Sequence, residues 1–201
     1  MENLLDKIPP CPPLTPLSPP LPRGEFKGGV EGLEIRIAGI GGQGIIQTGA
    51  ILALAGMYDG KNVSQASTYG PESRGTPSRT DVIFSDSDID YPYIEKADIL
   101  IVMAQKAYEL YHRDLKESGK LFYDSEKIKI EMPDNNSFAI PASGLATKGL
   151  NNPLLAGIIM LSAVIKGTGI VSVDSLKRAI KESVPEEYVS INMKAVEIGM
   201  I

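Results

Sequence analysis

The feature that most constrains this chain lies at Leu33. There Leu33-Glu-Ile-Arg-Ile-Ala38 alternates like a strand and runs straight into Gly39-Ile-Gly-Gly-Gln-Gly44. Ile45 to Met57 follows, with Ile45, Gly49, Leu52, Ala53 and Gly56 on one helical face. A strand, a tight glycine turn and a helix in that order define a Rossmann-like α/β start. Glycine takes the positive φ values that such a turn needs. The free amides at the helix start suit a phosphate or a carboxylate. Three small residues on the helix face imply close packing on a sheet or on another helix.

The same alternation of elements continues. After Asp59-Gly60, Asn62 to Gln65 reads as a short strand, and Ser67 to Ser78 as a loop punctuated by glycine and proline. Thr80 to Ser85 is a strand and Ile99 to Met103 a fully buried one. The pattern predicts a helix over Gln105 to Ser118, ended by Gly119. Short strands are expected at Leu121 to Asp124, Ile128 to Ile130 and Phe138 to Ile140. Asn152 is an N-cap with Pro153 at the first helical position, opening an apolar helix that runs to Lys166 and stops at Gly167. Val173, Leu176, Ile180 and Val184 mark an amphipathic helix closed by Pro185, and Glu187 to Ile198 a last helix. The expected fold is a single layered α/β domain over residues 33–201, with a mostly parallel sheet and flanking helices.

Residues 1–32 are of another kind. Eight of the 15 prolines fall between Pro9 and Pro22, followed by the Gly- and charge-bearing stretch Arg23 to Gly32. Proline lacks the backbone donor, so this leader is expected to be extended or disordered and dispensable. Its P-x-x-P spacings could alternatively be read as ligands for a proline-binding domain.

What the chain lacks narrows its chemistry. It has one cysteine, Cys11, and one histidine, His112. Iron–sulfur clusters need several thiolates and zinc a cluster of ligands, so neither has its donor set here. No nucleophile is paired with His112 in a recognisable motif, and no catalytic or metal-binding residue is assigned. The net charge of −5 with scattered basic residues gives no sign of a nucleic-acid or membrane partner. The longest apolar run, Pro153 to Ile165, is too short to span a bilayer and reads as a core helix. A cytoplasmic location is expected.

Gly39-x-Gly41-x-x-Gly44 has the context of a dinucleotide fingerprint. That fingerprint also requires an acidic residue at the end of the second strand, and Asp59 lies in the turn before that strand. A free-standing NAD(P)-binding oxidoreductase is therefore the alternative reading. Beside it stand a purely structural turn and a contact to an anion or partner through Gly41, Gly42, Gln43 and Gly44. The amide of Gln43 favours the last. A second unusual segment, Tyr69-Gly-Pro-Glu-Ser-Arg-Gly75, packs Tyr69, Glu72 and Arg74 among the turn residues Gly70, Pro71 and Gly75.

These segments together, with Asp81-Val-Ile-Phe-Ser-Asp86, Ala104-Gln105, Tyr123-Asp124 and the helix opened by Asn152, resemble the gamma subunit of 2-oxoacid:ferredoxin oxidoreductases. The resemblance covers about residues 33 to 199. Arg79-Thr-Asp-Val-Ile-Phe-Ser-Asp with Asp88-Ile-Asp-Tyr91 is closer to gamma chains of the 2-oxoglutarate type than of the pyruvate type. Where the family has a second glycine after its R-G, this chain has Thr76, which takes positive φ only at a cost.

The resemblance implies a complex that oxidatively decarboxylates a 2-oxoacid with coenzyme A, giving acyl-CoA, carbon dioxide and reduced ferredoxin. It implies alpha and beta subunits and a ferredoxin-like delta subunit as partners, which hold thiamine diphosphate with Mg and the iron–sulfur clusters. No cofactor is bound by this chain alone. The glycine turn and the Tyr69–Gly75 segment are expected to meet at the carboxyl edge of the sheet, as a subunit or coenzyme A contact.

Overall fold

The computed structural model describes residues 32–68 and 75–201. Its six strands are β1 (Leu33–Ile40), β2 (Asn62–Thr68), β3 (Pro77–Ser85), β4 (Ala97–Val102), β5 (Leu115–Asp124) and β6 (Ser137–Ile140), ordered β2-β3-β1-β4-β5-β6. β1, β4, β5 and β6 run parallel, while β2 and β3 form an antiparallel hairpin added beside β1. The mostly parallel sheet of the sequence reading is thus present, and β3 is the strand that reverses. This reversal explains how β2 and β3 are joined without a crossover helix, which a parallel pair would require.

Alternation along β1 sends its residues to two unlike faces. Ile35 and Ile37 enter the main core with α1 (Ile45–Tyr58), α4 (Ala156–Thr168), α5 (Val173–Ser183) and α6 (Glu186–Gly199). Ala38 instead joins a smaller cluster under α2 (Gln105–Tyr111), with Leu100, Val102 and Tyr123. Ala156 to Ile165 are all buried, so the longest apolar run of the sequence is a helix enclosed within the core. Each large side chain buried there contributes about 1.5–3 kcal/mol.

The small residues of α1 do what their spacing implies. A Cβ on Gly49 would lie 2.3 Å from Cγ2 of Thr80, and one on Gly56 2.3 Å from the Phe84 ring. The helix therefore lies directly on β3. α1 runs one residue beyond its expected end, α6 covers the expected span, and β2 extends beyond Gln65 to Thr68.

Three expectations need correction. The helix from Gln105 stops at Tyr111, turns tightly through His112–Asp114, and gives way to β5 at Leu115, with Gly119 inside the strand. Here tertiary contacts override the helical pattern: Lys116 Nζ is 2.7 Å from Glu34 and 3.0 Å from Asp98. The sheet register also shifts between Ala97 and Ile99 to accommodate the extra β5 residues. Ile128 to Ile130 is not a strand; Ile128 is buried as part of a loop against the α2 face. The α4 helix passes through Gly167 and ends at Gly169, whose φ of 65° supplies the left-handed cap.

Candidate functional site

The carboxyl ends of β1, β4, β5 and β6 share one edge, and the glycine turn sits at its middle. Backbone closure starts with Gln43, whose N–H donates to the Ile40 carbonyl at 3.2 Å. Gly42 and Gly44 take φ values of 98° and 71°, which only glycine adopts without strain. A Cβ on Gly39 would lie 2.5 Å from Oε1 of Gln43, so that glycine makes room for the Gln43 side chain.

Gln43 points inward. Its Oε1 accepts from the Ile40 N–H at 2.8 Å, and its Nε2 donates to the Met103 carbonyl at 2.9 Å. The Met103 N–H in turn donates to Ala38 at 2.9 Å. The side-chain amide that favoured a ligand contact in the sequence thus ties β1 to the segment after β4. Gly42 and Gly44 are exposed, Gly41 is half-buried, and the start of α1 carries no side-chain cap. The backbone N–H groups of Gly41 and Gln43 are bonded within the fold, and the exposed Gly42 and Gly44 sit at a helix start, the kind of place that suits an anion.

The described residues on either side of the second segment lie at the same edge. Because β3 returns antiparallel, Pro77 pairs with Ile40 and Thr68 with Arg79, placing the end of β2 and the start of β3 beside the glycine turn. The Gly41 N–H donates to the Thr76 carbonyl at 2.9 Å, joining the two loops directly. Gly75 has φ 78°, whereas Thr76 keeps a negative φ, so the left-handed step falls on the glycine and the threonine costs nothing. Tyr69, Gly70, Pro71, Glu72 and Arg74 lie outside the described residues.

Asp59 is engaged at the end of α1 remote from the glycine turn. Its carboxylate accepts from the Ser172 N–H at 2.6 Å, from Ser172 Oγ at 2.8 Å and from Ser175 Oγ at 2.6 Å. Ser172 is the N-cap of α5, its Oγ accepting from the Ser175 N–H, and Asp59 holds that cap and so secures the helix to the end of α1. Partial burial works against its charge, but these hydrogen bonds outweigh burial and hold the carboxyl below its ordinary range. The acidic residue nearest to dinucleotide spacing is structural.

Two features of the site region were not singled out in the sequence. Asp124, fully buried at the carboxyl end of β5, accepts from the Ser143 N–H and hydroxyl and from the Glu126 N–H. Burial is the largest influence and raises its pKa despite those bonds. Arg36, 1% exposed, makes a two-pronged contact with Asp81 at 2.8 Å for each bond. It also donates to Asp114 and, at 2.8 Å, to the Ile94 carbonyl. Little in the sequence marks this: Arg36 shares its strand face with Glu34, so alternation alone does not show it as buried. Among the described residues no group of three His, Cys, Asp or Glu side chains could hold a metal, and no helix is long and apolar enough to cross a membrane.

The chain belongs to the pyruvate ferredoxin/flavodoxin oxidoreductase family, whose model matches residues 34–200. More particularly, it is a subunit of a 2-oxoacid:ferredoxin oxidoreductase. It is 41% identical over 170 residues to a 2-oxoglutarate synthase subunit KorC of Methanocaldococcus jannaschii, covering 83% of this chain and 91% of that one. A KorC subunit of Methanothermobacter thermautotrophicus is 39% identical, with 83% and 92% covered. Among solved structures, the gamma subunit of a keto/oxoacid ferredoxin oxidoreductase from Geobacter sulfurreducens superposes with a TM-score of 0.73 at 37% identity, covering 84% of this chain and 96% of that one. The 2-oxoglutarate:ferredoxin oxidoreductase of Magnetococcus marinus, solved with 2-oxoglutarate, coenzyme A and succinyl-CoA bound, gives a TM-score of 0.74 at 25% identity. There this chain covers only 31% of the larger polypeptide, and 85% of its own length is matched.

Proposed function

We propose that this chain is the gamma subunit of a 2-oxoglutarate:ferredoxin oxidoreductase, acting beside alpha, beta and ferredoxin-like delta subunits in the cytoplasm. One observation carries the choice of oxoacid. Identity to KorC chains reaches 41%, whereas a pyruvate synthase subunit PorC of Methanothermobacter marburgensis reaches 32%. The complex would convert 2-oxoglutarate and coenzyme A to succinyl-CoA and carbon dioxide, passing the electrons to ferredoxin. Thiamine diphosphate with Mg and the iron–sulfur clusters would belong to the partner chains. A single cysteine, Cys11, cannot supply the several thiolates that an iron–sulfur cluster needs.

The contribution of this chain is a contact surface at the carboxyl edge. The amides of Gly42 and Gly44 suit a phosphate of coenzyme A, with Gly41 held in place by its bond to Thr76, and Arg74 offers a planar five-donor fork for a phosphate or a partner carboxylate. Tyr69, Gly70, Pro71, Glu72 and Gly75 complete that proposed surface, and Gln43 supports it from within. In the assembled complex, Arg74→Ala should raise the apparent Michaelis constant for coenzyme A or weaken assembly. Arg74→Lys should restore little, because the fork is lost. Wild-type assembly, rate and coenzyme A dependence in Arg74→Ala would remove Arg74 from the surface. Residues 1–32 are proposed to be a dispensable leader, tested by deleting residues 1–30 and comparing thermal stability and partner binding.

A further inference from the structure

Arg79 stands in an unusual position on β3. Its Nε is buried and has no hydrogen-bond acceptor, the one such side-chain nitrogen or oxygen among the described residues. The nearest carboxylate oxygen, Oδ2 of Asp81, is 4.0 Å away and already bonded to Arg36 at 2.8 Å. A guanidinium carries five donors, and a buried donor left unmade is costly. Arg79 is nevertheless held in place: its guanidinium lies 5.5 Å from the centre of the Tyr111 ring, which Arg36 also faces at 5.7 Å. The side chain is 28% exposed, so part of the fork reaches the surface.

The position of Arg79 says which kind of acceptor is missing. Arg79 pairs with Ala38 in the sheet register and packs under α2, on the face opposite α1. An anion held by the amides at the start of α1 would lie on the other side of the sheet. The α2 face is covered by one two-turn helix and by loops, and it leaves large apolar surface uncovered. Leu110 is 55% exposed beside Tyr111, and Tyr91 and Tyr93 are 57% and 55% exposed in the segment whose Ile94 carbonyl caps Arg36. Tyrosine and arginine beside apolar surface are the residues that protein interfaces favour.

We infer that the α2 face is a subunit interface and that an aspartate or glutamate carboxylate of a partner subunit docks on Arg79. This inference rests on the reading of the chain as one subunit of a larger complex. A carboxylate presents two coplanar oxygens to the fork and would supply the missing acceptor. Tyr111 pre-orders the guanidinium, so little side-chain freedom is lost on docking.

The test is assembly of the full chain with the remaining subunits, measured as a dissociation constant. Arg79→Gln and Arg79→Lys, both checked for unchanged thermal unfolding, should each weaken assembly by at least about tenfold. Leu110→Asp, an exposed position that leaves the core intact, should weaken it as well. An independent readout follows the Arg79 Nε–H resonance, which should shift when the partner subunits bind. Folded Arg79→Gln protein that assembles with wild-type affinity would overturn the inference. So would unchanged assembly accompanied by a raised Michaelis constant for coenzyme A, because Arg79 would then serve a coenzyme phosphate. Failure of the wild-type chain to assemble at all would instead strike at the proposed function.

Discussion

The side-chain amide of Gln43 bridges two parallel strands: it accepts from Ile40 at the end of β1 and donates to the Met103 carbonyl just past β4, at 2.9 Å. One glutamine therefore shapes the glycine turn and locks it to the sheet. Gln43→Leu keeps the bulk and removes both bonds, leaving the half-buried Ile40 N–H without its acceptor. Urea unfolding should show a loss of about 1–3 kcal/mol. A loss near zero would mean that water replaces the amide at both ends.

A larger effect is expected at the buried ion pair. Arg36→Met leaves Asp81, 2% exposed, as a buried carboxylate without its main partner. Removing one member of such a pair costs about 3–5 kcal/mol. The double change Arg36→Met with Asp81→Leu should recover most of that loss, since no charge is then left buried. Chemical denaturation of the three variants checks this, and additive losses would contradict it.

Asp59 gives a pH signature. Its carboxyl is held below the ordinary value of 3.8 in the folded chain, where Ser172 and Ser175 donate to it. The charged form is therefore the one that folding favours. Its contribution is fully present above the unfolded-state value and is lost as pH falls through the lower folded value. Asp59→Ala should cost about 1–2 kcal/mol at neutral pH, because Ser172 and Ser175 lose their charged acceptor. The difference between wild type and variant should shrink as pH falls below 3.8. Stability curves against pH that stay parallel would show that the carboxylate charge is not what holds the start of α5.

Local chemistry made much of this molecule legible in the sequence. Gly42 and Gly44 encode a turn whose positive φ values favour glycine, and Asn152-Pro153 encodes a helix start, so both are found where their chemistry places them. The hairpin was harder to read, because nothing in Thr80 to Ser85 distinguishes an antiparallel strand from a parallel one. Residues Leu115 to Gly119 carry a helical pattern, yet Glu34 and Asp98, distant in sequence, draw Lys116 into the sheet. Gln43 misled for a related reason. An amide at a helix start reads the same whether it faces a ligand or the carbonyl of Met103, sixty residues on. Arg36 was hidden by alternation, since it shares a strand face with Glu34, and its acceptors Asp81, Asp114 and Ile94 come together only through the fold.

The central claim is that this chain completes a 2-oxoacid:ferredoxin oxidoreductase whose redox centres lie in other subunits. The most direct measurement is reconstitution: partner subunits prepared with and without this chain, assayed for ferredoxin reduction that depends on 2-oxoglutarate and coenzyme A. The account predicts that the chain alone is colourless and inactive. It also predicts that adding the chain to its partners gives a stable complex and restores reduction with 2-oxoglutarate in preference to pyruvate. Partner subunits that reduce ferredoxin equally well without this chain, and do not bind it, would contradict the account.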